Sequence, residues 1–181
     1  DTQLLALKNF CEYDVTVLAG YSGSGKSASV KNLVKMMEDN RITYALLSST
    51  GKASKVLSES TNRKATTVHK RCYSGEIDVD CVVLDEFGMI NLDTFLMFLN
   101  KITNPNIKIV LVGDPAQLSC IGVSKIFDDV INSNKVPTTM LTEVFRYKSN
   151  GSLFVATNIR NGSSFLDNKD MVKYSNEVYS V

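Results

Sequence analysis

The stretch GYSGSGKS, from Gly20 to Ser27, matches the pattern GxxxxGK[ST] at every fixed position. It follows the apolar run VTVLAG, which begins at Val15, and it precedes apolar residues at helical spacing from Val30 to Met37. A strand, a glycine-rich turn and a helix N-terminus in that order form the context in which this pattern binds phosphate. The stretch therefore predicts a phosphate-binding loop rather than a glycine-rich turn that binds nothing.

The residue types in this loop suit a bound nucleotide. Glycine lets the backbone bend so that its N–H groups point at phosphate oxygens, and the following helix adds a favourable dipole. We expect Lys26 to reach the β- and γ-phosphates of ATP, and the Ser27 hydroxyl to be a ligand of Mg²⁺. The predicted nucleotide-binding residues of the loop are Gly20, Tyr21, Ser22, Gly23, Ser24, Gly25, Lys26 and Ser27.

Four apolar runs predict the fold class: VTVLAG, TYALLSST from Thr43, VDCVVLDE from Val79 and IKIVLVGD from Ile107. Strands without polar alternation are buried on both faces, which is typical of a parallel sheet covered by helices. The segments between them read as amphipathic helices, so the chain is predicted to be α/β. After the third run, the expected buried stripe of the helix comprises Leu92, Phe95, Leu96 and Leu99.

Composition sets limits on the function. The 181 residues are 44% hydrophobic and 22% charged, which is typical of a globular protein, and the net charge of +1 gives no general case for nucleic-acid binding. No membrane span or secretory signal is recognisable, so we expect a cytoplasmic protein. The cysteines have no zinc-ligand spacing and are expected to be reduced: Cys11, Cys72, Cys81 and Cys120.

Two further strand ends carry candidate catalytic groups. In CVVLDE, Asp85 and Glu86 follow an apolar strand, where paired carboxylates are costly unless they engage a cation or water. We expect Asp85 to hold Mg²⁺ and Glu86 to act as the general base on the attacking water. In GDPAQL, the Gln117 amide can both donate and accept, which suits a side chain that senses the γ-phosphate.

The order of the motifs GYSGSGKS, SSTGKASKVL, TTVHK, LDEFGM, VGDPAQL and LTEVFRY resembles that of RecD-like superfamily 1 helicases. The resemblance covers Gln3 to Gly162. It implies a RecA-like P-loop NTPase fold, a mostly parallel sheet with helices on both faces, that couples ATP hydrolysis to movement along single-stranded DNA. Residues 1–162 would be the first of two motor domains, and residues 163–181 form an unassigned tail.

Further site residues follow from this resemblance alone. Gln3 resembles the glutamine that reads adenine, although an exposed terminal residue is the alternative. Arg146 resembles the arginine that contacts the γ-phosphate, and the alternative is that it forms a surface ion pair. His69 could equally be a helix-cap or core residue. The positions that match DNA-contacting residues of the family are Thr50, Lys52, Thr67 and His69.

The strand order, the connection before LDEFGM and the domain content can be tested further. The family's strand order requires the Ile107 strand to lie between the Val15 and Val79 strands, whereas a P-loop kinase would make the latter two direct neighbours. A non-catalytic nucleotide-binding clamp is the other alternative. The family also carries a small inserted element before LDEFGM, and we expect a flexible insertion between Gly75 and Glu76. No motif of a second RecA-like domain is recognisable, so that domain is an expected partner.

Overall fold

The computed structural model describes residues 2–117, 125–142, 157–159 and 162–163. The chain divides into two compact units, Asp1–Glu143 and Val144–Val181. In the second unit, residues 157–159 are helical, and the N–H of Gly162 donates to the carbonyl of Ile159 over 3.1 Å. Across the described ranges, no helix has the length and apolar character needed to cross a membrane.

The first unit alternates strands with helices. Its strands are β1 (Val15–Gly20), β2 (Tyr44–Ser48), β3 (Ala65–Thr67), β4 (Cys81–Asp85), β5 (Lys108–Gly113) and β6 (Thr138–Leu141). Its helices are α1 (Thr2–Glu12), α2 (Lys26–Asp39), α3 (Gly51–Thr61), α4 (Val68–Tyr73), α5 (Leu92–Leu99) and α6 (Ile126–Asn132), with a 3₁₀ turn at Phe87–Met89. The predicted α/β class is confirmed.

Within the described residues, the strands form one parallel sheet of six in the order β3-β2-β4-β5-β1-β6. Strand β5 pairs with β1 on one side and with β4 on the other. The predicted RecA-like order is therefore confirmed, and the kinase-like order, with β1 beside β4, is wrong. Because every strand runs the same way, the loops after β1, β2, β3, β4 and β5 all leave from one edge of the sheet, here called the carboxyl edge.

The core has two parts, one on each face of the sheet. Leu18 of β1 packs with Val30 and Leu33 of α2, on what we call the α2 face, which α1 and α3 also cover. Val17 packs with Phe98 of α5, on what we call the α5 face, which α4 and α6 also cover. Both faces are buried, as continuous apolar strands predict, and each buried aliphatic side chain contributes about 1.5–3 kcal/mol.

Helix α2 buries the predicted stripe of Val30, Leu33, Val34 and Met37. Helix α5 does not. Leu92, Leu96 and Leu99 are 45%, 46% and 38% exposed, whereas Phe98 is fully buried. The prediction for α5 is wrong because the helix turns its aromatic side inward, and Phe95 stacks edge-on against Phe87 with ring centroids 5.0 Å apart.

The connection between α4 and β4 contains no inserted element. The guanidinium of Arg71 donates to the carbonyl oxygens of Gly75, at 3.4 Å, and Glu76, at 2.8 Å. The next residue, Ile77, then forms a parallel bridge with Ile102. The chain is continuous through this short turn, so the expected insertion between Gly75 and Glu76 is wrong.

The cysteines within the described ranges are free thiols. Cys72 and Cys81 are buried, and burial raises the pKa of the Cys81 thiol to about 12, which keeps it protonated and unreactive. Cys11 is exposed, and Cys120 lies outside the described residues. The thiols of the two buried residues act as small apolar groups in the core.

Candidate functional site

The phosphate loop lies between β1 and α2 at the carboxyl edge. Gly23 and Gly25 have φ angles of 80° and 92°, in the left-handed region that glycine adopts without strain. Gly25 is also the N-cap of α2, so the N–H groups of the first helical turn point towards the loop. This backbone is an anion-binding concavity at a helix N-terminus.

Gly20 is required by close packing rather than by its φ angle. A Cβ at this position would collide with the Oγ of Ser24 and would lie 2.9 Å from the Cβ of Leu141 on the neighbouring strand β6. Ser24 is itself buried, and its hydroxyl has no hydrogen-bond partner among the described residues. The first glycine of the motif therefore lets the loop fold back over the end of β1.

Lys26 curls over its own loop. Its Nζ donates to the carbonyl oxygens of Gly20, at 2.5 Å, and Tyr21, at 3.1 Å. The same nitrogen lies 4.0 Å from Oδ2 of Asp114, at the end of β5. The ammonium group is thus held in the concavity by carbonyl oxygens that a nucleotide phosphate can replace.

Asp114, in the GDPAQL motif, also lies in the site, although it was not among the predicted site residues. It is 7% exposed, and its Oδ1 accepts the N–H of Ala116 at 2.9 Å. The Nε2 of Gln117 lies 3.4 Å from Asp114 Oδ2, the oxygen that faces Lys26. Its position directly after an apolar strand was the available signal, since a buried carboxylate there needs a cation. The structure therefore brings Gln117 next to the phosphate loop.

Asp85 is the last residue of strand β4, and Glu86 follows it. Burial raises the pKa of the Asp85 carboxyl to about 6, and the charge of Glu86 acts in the same direction. A backbone hydrogen bond from Glu86 and the charge of Lys26 oppose that shift. Glu86 has a φ of 52°, an uncommon left-handed conformation for a non-glycine residue, and it ends the strand.

Three of these groups belong to the same face of the sheet. Side chains alternate along a strand, so residues two positions apart point to the same side. The core on the α2 face contains Leu18, Val83 and Val112. Two positions after them, in the same order, come Gly20, Asp85 and Asp114. The acidic groups of β4 and β5 therefore lie on the side of the sheet from which α2 rises with Lys26.

The metal-ligand candidates are Ser27 and Asp85. Ser27 is exposed in the first turn of α2, and Asp85 is half-buried at the end of β4. Within the described ranges, no group of three or more His, Cys, Asp or Glu side chains could hold a metal. A hydroxyl and a carboxylate are nevertheless the hard oxygen ligands that suit Mg²⁺, which usually keeps several waters and takes one or two carboxylates plus phosphate oxygens. The residues fit that ion.

The candidate DNA-contacting residues follow β2 and β3 at the same edge. Thr50 caps α3, with its Oγ1 accepting the N–H of Ala53 at 3.2 Å, and Lys52 is exposed one residue into that helix. Thr67 caps α4 in the same way. Each capping hydroxyl still has a proton to donate to another acceptor. The four predicted positions thus lie at the N-terminal ends of α3 and α4, which follow β2 and β3.

His69 belongs to α4 and is exposed, but its ring has a partner. Its Nε2 lies 3.3 Å from Oγ1 of Thr94, a buried residue of α5. This contact joins the TTVHK segment to the helix that follows LDEFGM. The sequence alternatives of a helix cap or a core residue do not describe its position, since Thr67 caps the helix and the ring is not buried.

Of the two remaining candidates, Gln3 and Arg146, the structure describes only Gln3. Gln3 lies in the first turn of α1 and is half-buried, so it is not an exposed, frayed terminal residue. Its contact with adenine remains a prediction. Arg146 lies outside the described residues, and so does most of the LTEVFRY segment.

Fold and site together define a P-loop NTPase of the RecA-like division, in which a strand separates the phosphate-loop strand from the acidic strand. A sequence profile described as an AAA domain matches residues 1–177. The chain belongs to the AAA domain family.

Known helicases are among the proteins similar to this chain. The ATP-dependent RecD2 DNA helicase of Deinococcus radiodurans is 27% identical over 166 residues, which cover 86% of this chain and 23% of the relative. The RecBCD enzyme subunit RecD of Mycolicibacterium smegmatis is 26% identical over 167 residues, 72% of this chain and 30% of the relative. The resemblance to RecD-like helicases is confirmed, and the chain spans less than a third of either relative.

A solved structure has the same fold. Bacteroides Pif1 bound to single-stranded DNA superposes with a TM-score of 0.64 at 18% identity, over 97% of this chain and 48% of Pif1. Nearly all of this chain therefore has the same fold as about half of the Pif1 structure.

Proposed function

We propose that this chain is the first motor domain of an ATP-dependent, RecD-like DNA helicase of superfamily 1. In this proposal it binds and hydrolyses MgATP, contacts single-stranded DNA, and acts with a second RecA-like domain in the cytoplasm. The observation that carries it is the convergence of Lys26, Asp85 and Asp114 on the α2 face of one edge, with β5 between β1 and β4. The similarity to RecD2 adds support.

The nucleotide chemistry assigns a task to each of these groups. Lys26 exchanges the carbonyl oxygens of Gly20 and Tyr21 for the β- and γ-phosphates. Glu86 takes a proton from the attacking water, and its left-handed backbone turns it away from the line of β4. Ser27 and Asp85 would hold Mg²⁺, which would supply positive charge to the phosphate oxygens.

Gln117 and Arg146 complete the γ-phosphate end of the proposed site. The Gln117 amide, beside Asp114, can bind both the phosphate and the water, and Arg146 is proposed as a cation for the same phosphate. Gln3 is proposed to read the adenine. A further arginine from a second domain would stabilise the transferring phosphoryl group, and such an arginine is worth about 10³–10⁵ in rate. We therefore expect residues 1–181 alone to hydrolyse ATP slowly and to unwind no duplex.

The DNA side of the proposal uses the N-terminal ends of α3 and α4, which follow β2 and β3. Backbone N–H groups, hydroxyls and a lysine suit phosphate oxygens, and contacts of this kind do not select a base sequence. Thr50, Lys52, Thr67 and His69 would hold the sugar-phosphate backbone. The RecD2 relative is a DNA helicase, and Pif1 was solved with single-stranded DNA.

The test combines DNA binding with MgATP binding. Fluorescence anisotropy would measure the affinity of the chain for single-stranded DNA, with Lys52→Ala as the test variant and Lys55→Ala as its control. Both lysines are exposed on α3 and carry the same charge. We expect Lys52→Ala to weaken binding more than Lys55→Ala. Equal affinities would remove Lys52 from the DNA site, and a wild type that binds neither MgATP nor single-stranded DNA would contradict the motor assignment.

A non-catalytic clamp is the competing function. It would bind ATP and DNA without turnover, so Glu86→Gln would change nothing measurable in a clamp. The P-loop kinase alternative loses its structural basis because β5 separates β1 from β4.

A further inference from the structure

Ser48, the last residue of β2, has a buried hydroxyl that nothing in the sequence reasoning used. The residue is fully buried, and its Oγ has no hydrogen-bond partner among the described residues. A buried polar group without a partner costs about 1–3 kcal/mol. Buried hydroxyls are almost always paired, so an unpaired one at a functional edge points to a partner that binds there.

The register of the sheet puts this hydroxyl beside Asp85. Ser48 and Asp85 are paired positions of the parallel strands β2 and β4, which run about 4.8 Å apart. Paired residues of neighbouring parallel strands point to the same face. Leu46, two positions before Ser48, packs in the core of the α2 face, as Val83 does before Asp85. Ser48 therefore extends the row of polar groups formed by Asp85 and Asp114.

The chemistry of that row favours a bound water or hydrated cation near Ser48. Asp85 is a partly desolvated carboxylate whose neighbours in the sheet are Ser48 on β2 and the β5 strand that leads to Asp114. Mg²⁺ keeps several waters when one or two carboxylates bind it, and each water needs acceptors for its protons. A serine hydroxyl can donate one hydrogen bond and accept two.

We infer that Ser48 is a positioning residue of the Mg²⁺ site. Its hydroxyl donates a hydrogen bond to the Asp85 carboxylate and accepts one from a metal-bound water, so that the hydroxyl is fully paired only in the metal-bound state. This inference rests on the proposed MgATP function. Ser48 would orient the Asp85 carboxylate, which is the proposed metal ligand. Mutating a residue that orients a metal ligand typically weakens metal affinity by about 10–100-fold.

The next residue provides a matched control. Ser49 also has a buried Oγ without a partner among the described residues, but the pairing of β2 with β4 ends at Ser48 and Asp85. Ser49 therefore has no register partner on the acidic strand. Replacing either serine by alanine removes the same atom from adjacent positions of one segment.

The experiment measures Mg²⁺ binding without relying on turnover. A fluorescent ADP analogue is bound to the full 181-residue chain, and Mg²⁺ is titrated for wild type, Ser48→Ala, Ser48→Cys and Ser49→Ala. We expect about tenfold weaker apparent Mg²⁺ affinity for both Ser48 variants and no change for Ser49→Ala. Melting temperatures in metal-free buffer should not fall for Ser48→Ala, because that variant removes an unpaired polar group.

Each result decides the inference. Equal Mg²⁺ affinity in Ser48→Ala, Ser49→Ala and wild type would overturn it while leaving the proposed function intact. A lower melting temperature together with weaker metal-free ADP binding in both Ser48 variants would show a structural role and also overturn it. Nucleotide binding by wild type that does not respond to Mg²⁺ would overturn the proposed function, and this inference with it.

Discussion

Lys26 Nζ lies 4.0 Å from Asp114 Oδ2, and this pair joins the phosphate loop to the end of β5. The side chains are 13% and 4% exposed, so the pair is screened by little water. The lysine is also held by two carbonyl oxygens of its own loop. Asp114 and these carbonyls therefore fix the ammonium group between the phosphate loop and the end of β5.

Replacing Lys26 by alanine should weaken nucleotide binding and abolish hydrolysis. A charge-assisted hydrogen bond contributes about 1.5–3 kcal/mol, so affinity should fall by roughly 10–100-fold. Isothermal titration calorimetry with MgADP measures the affinity. Lys31→Ala is the control, since Lys31 is exposed on the same helix. Equal losses in the two variants would mean that only the general charge of α2 matters.

Gly20→Ala should destabilise the protein through the collision with Ser24 and Leu141. Overpacking of this kind typically costs about 1–3 kcal/mol. Gly51→Ala is the matched control, because a Cβ on Gly51 meets no atom within 4 Å and lies at the start of α3. It should leave stability unchanged or raise it by up to about 1 kcal/mol. Urea unfolding of both variants makes the comparison, and similar midpoints would contradict the packing account.

The pH dependence of stability should carry the signature of Asp85. Its folded pKa of about 6 exceeds the ordinary 3.8, so the folded state holds a proton that the unfolded state releases between these values. In metal-free buffer this group therefore costs stability as the pH rises from about 4 to 6, by on the order of 3 kcal/mol. Asp85→Asn lacks the effect and should be more stable than wild type at pH 7.5.

The contrast between two pH values isolates that carboxyl from the others. Near pH 4 the unfolding free energies of Asp85→Asn and wild type should converge, because the wild-type carboxyl is then protonated in the folded state. A difference that is the same at pH 4 and pH 7.5 would mean that Asp85 is not desolvated. Chemical denaturation at both values provides the four free energies.

The nucleotide site was predictable from sequence where chemistry fixes the spacing. The phosphate loop needs its glycines, lysine and serine at set positions, and their positions between β1 and α2 follow from local pattern alone. Asp114 and Ser48 were missed because their importance depends on register: β5 brings Asp114 to Lys26, and β2 brings Ser48 beside Asp85. Pairings between distant parts of the chain leave no local signal, although the position of Asp114 directly after an apolar strand marked it as a candidate.

The errors have physical causes as well. In LDTFLMFL nearly every position is apolar, so periodicity could not choose the buried side of α5, and the aromatic contact of Phe95 with Phe87 decided it. The expected insertion after Gly75 came from the resemblance rather than from the residues, and the capping bonds of Arg71 close that turn.

Single-turnover phosphate release from MgATP by wild type and by Glu86→Gln tests the hydrolytic role of the site. We expect both proteins to bind ATP with similar affinity and release in the variant to be slower by about 10²–10⁴-fold, because the site keeps its shape and loses its base. Equal release rates in the two proteins would contradict the assignment of Glu86 and the hydrolytic function built on it.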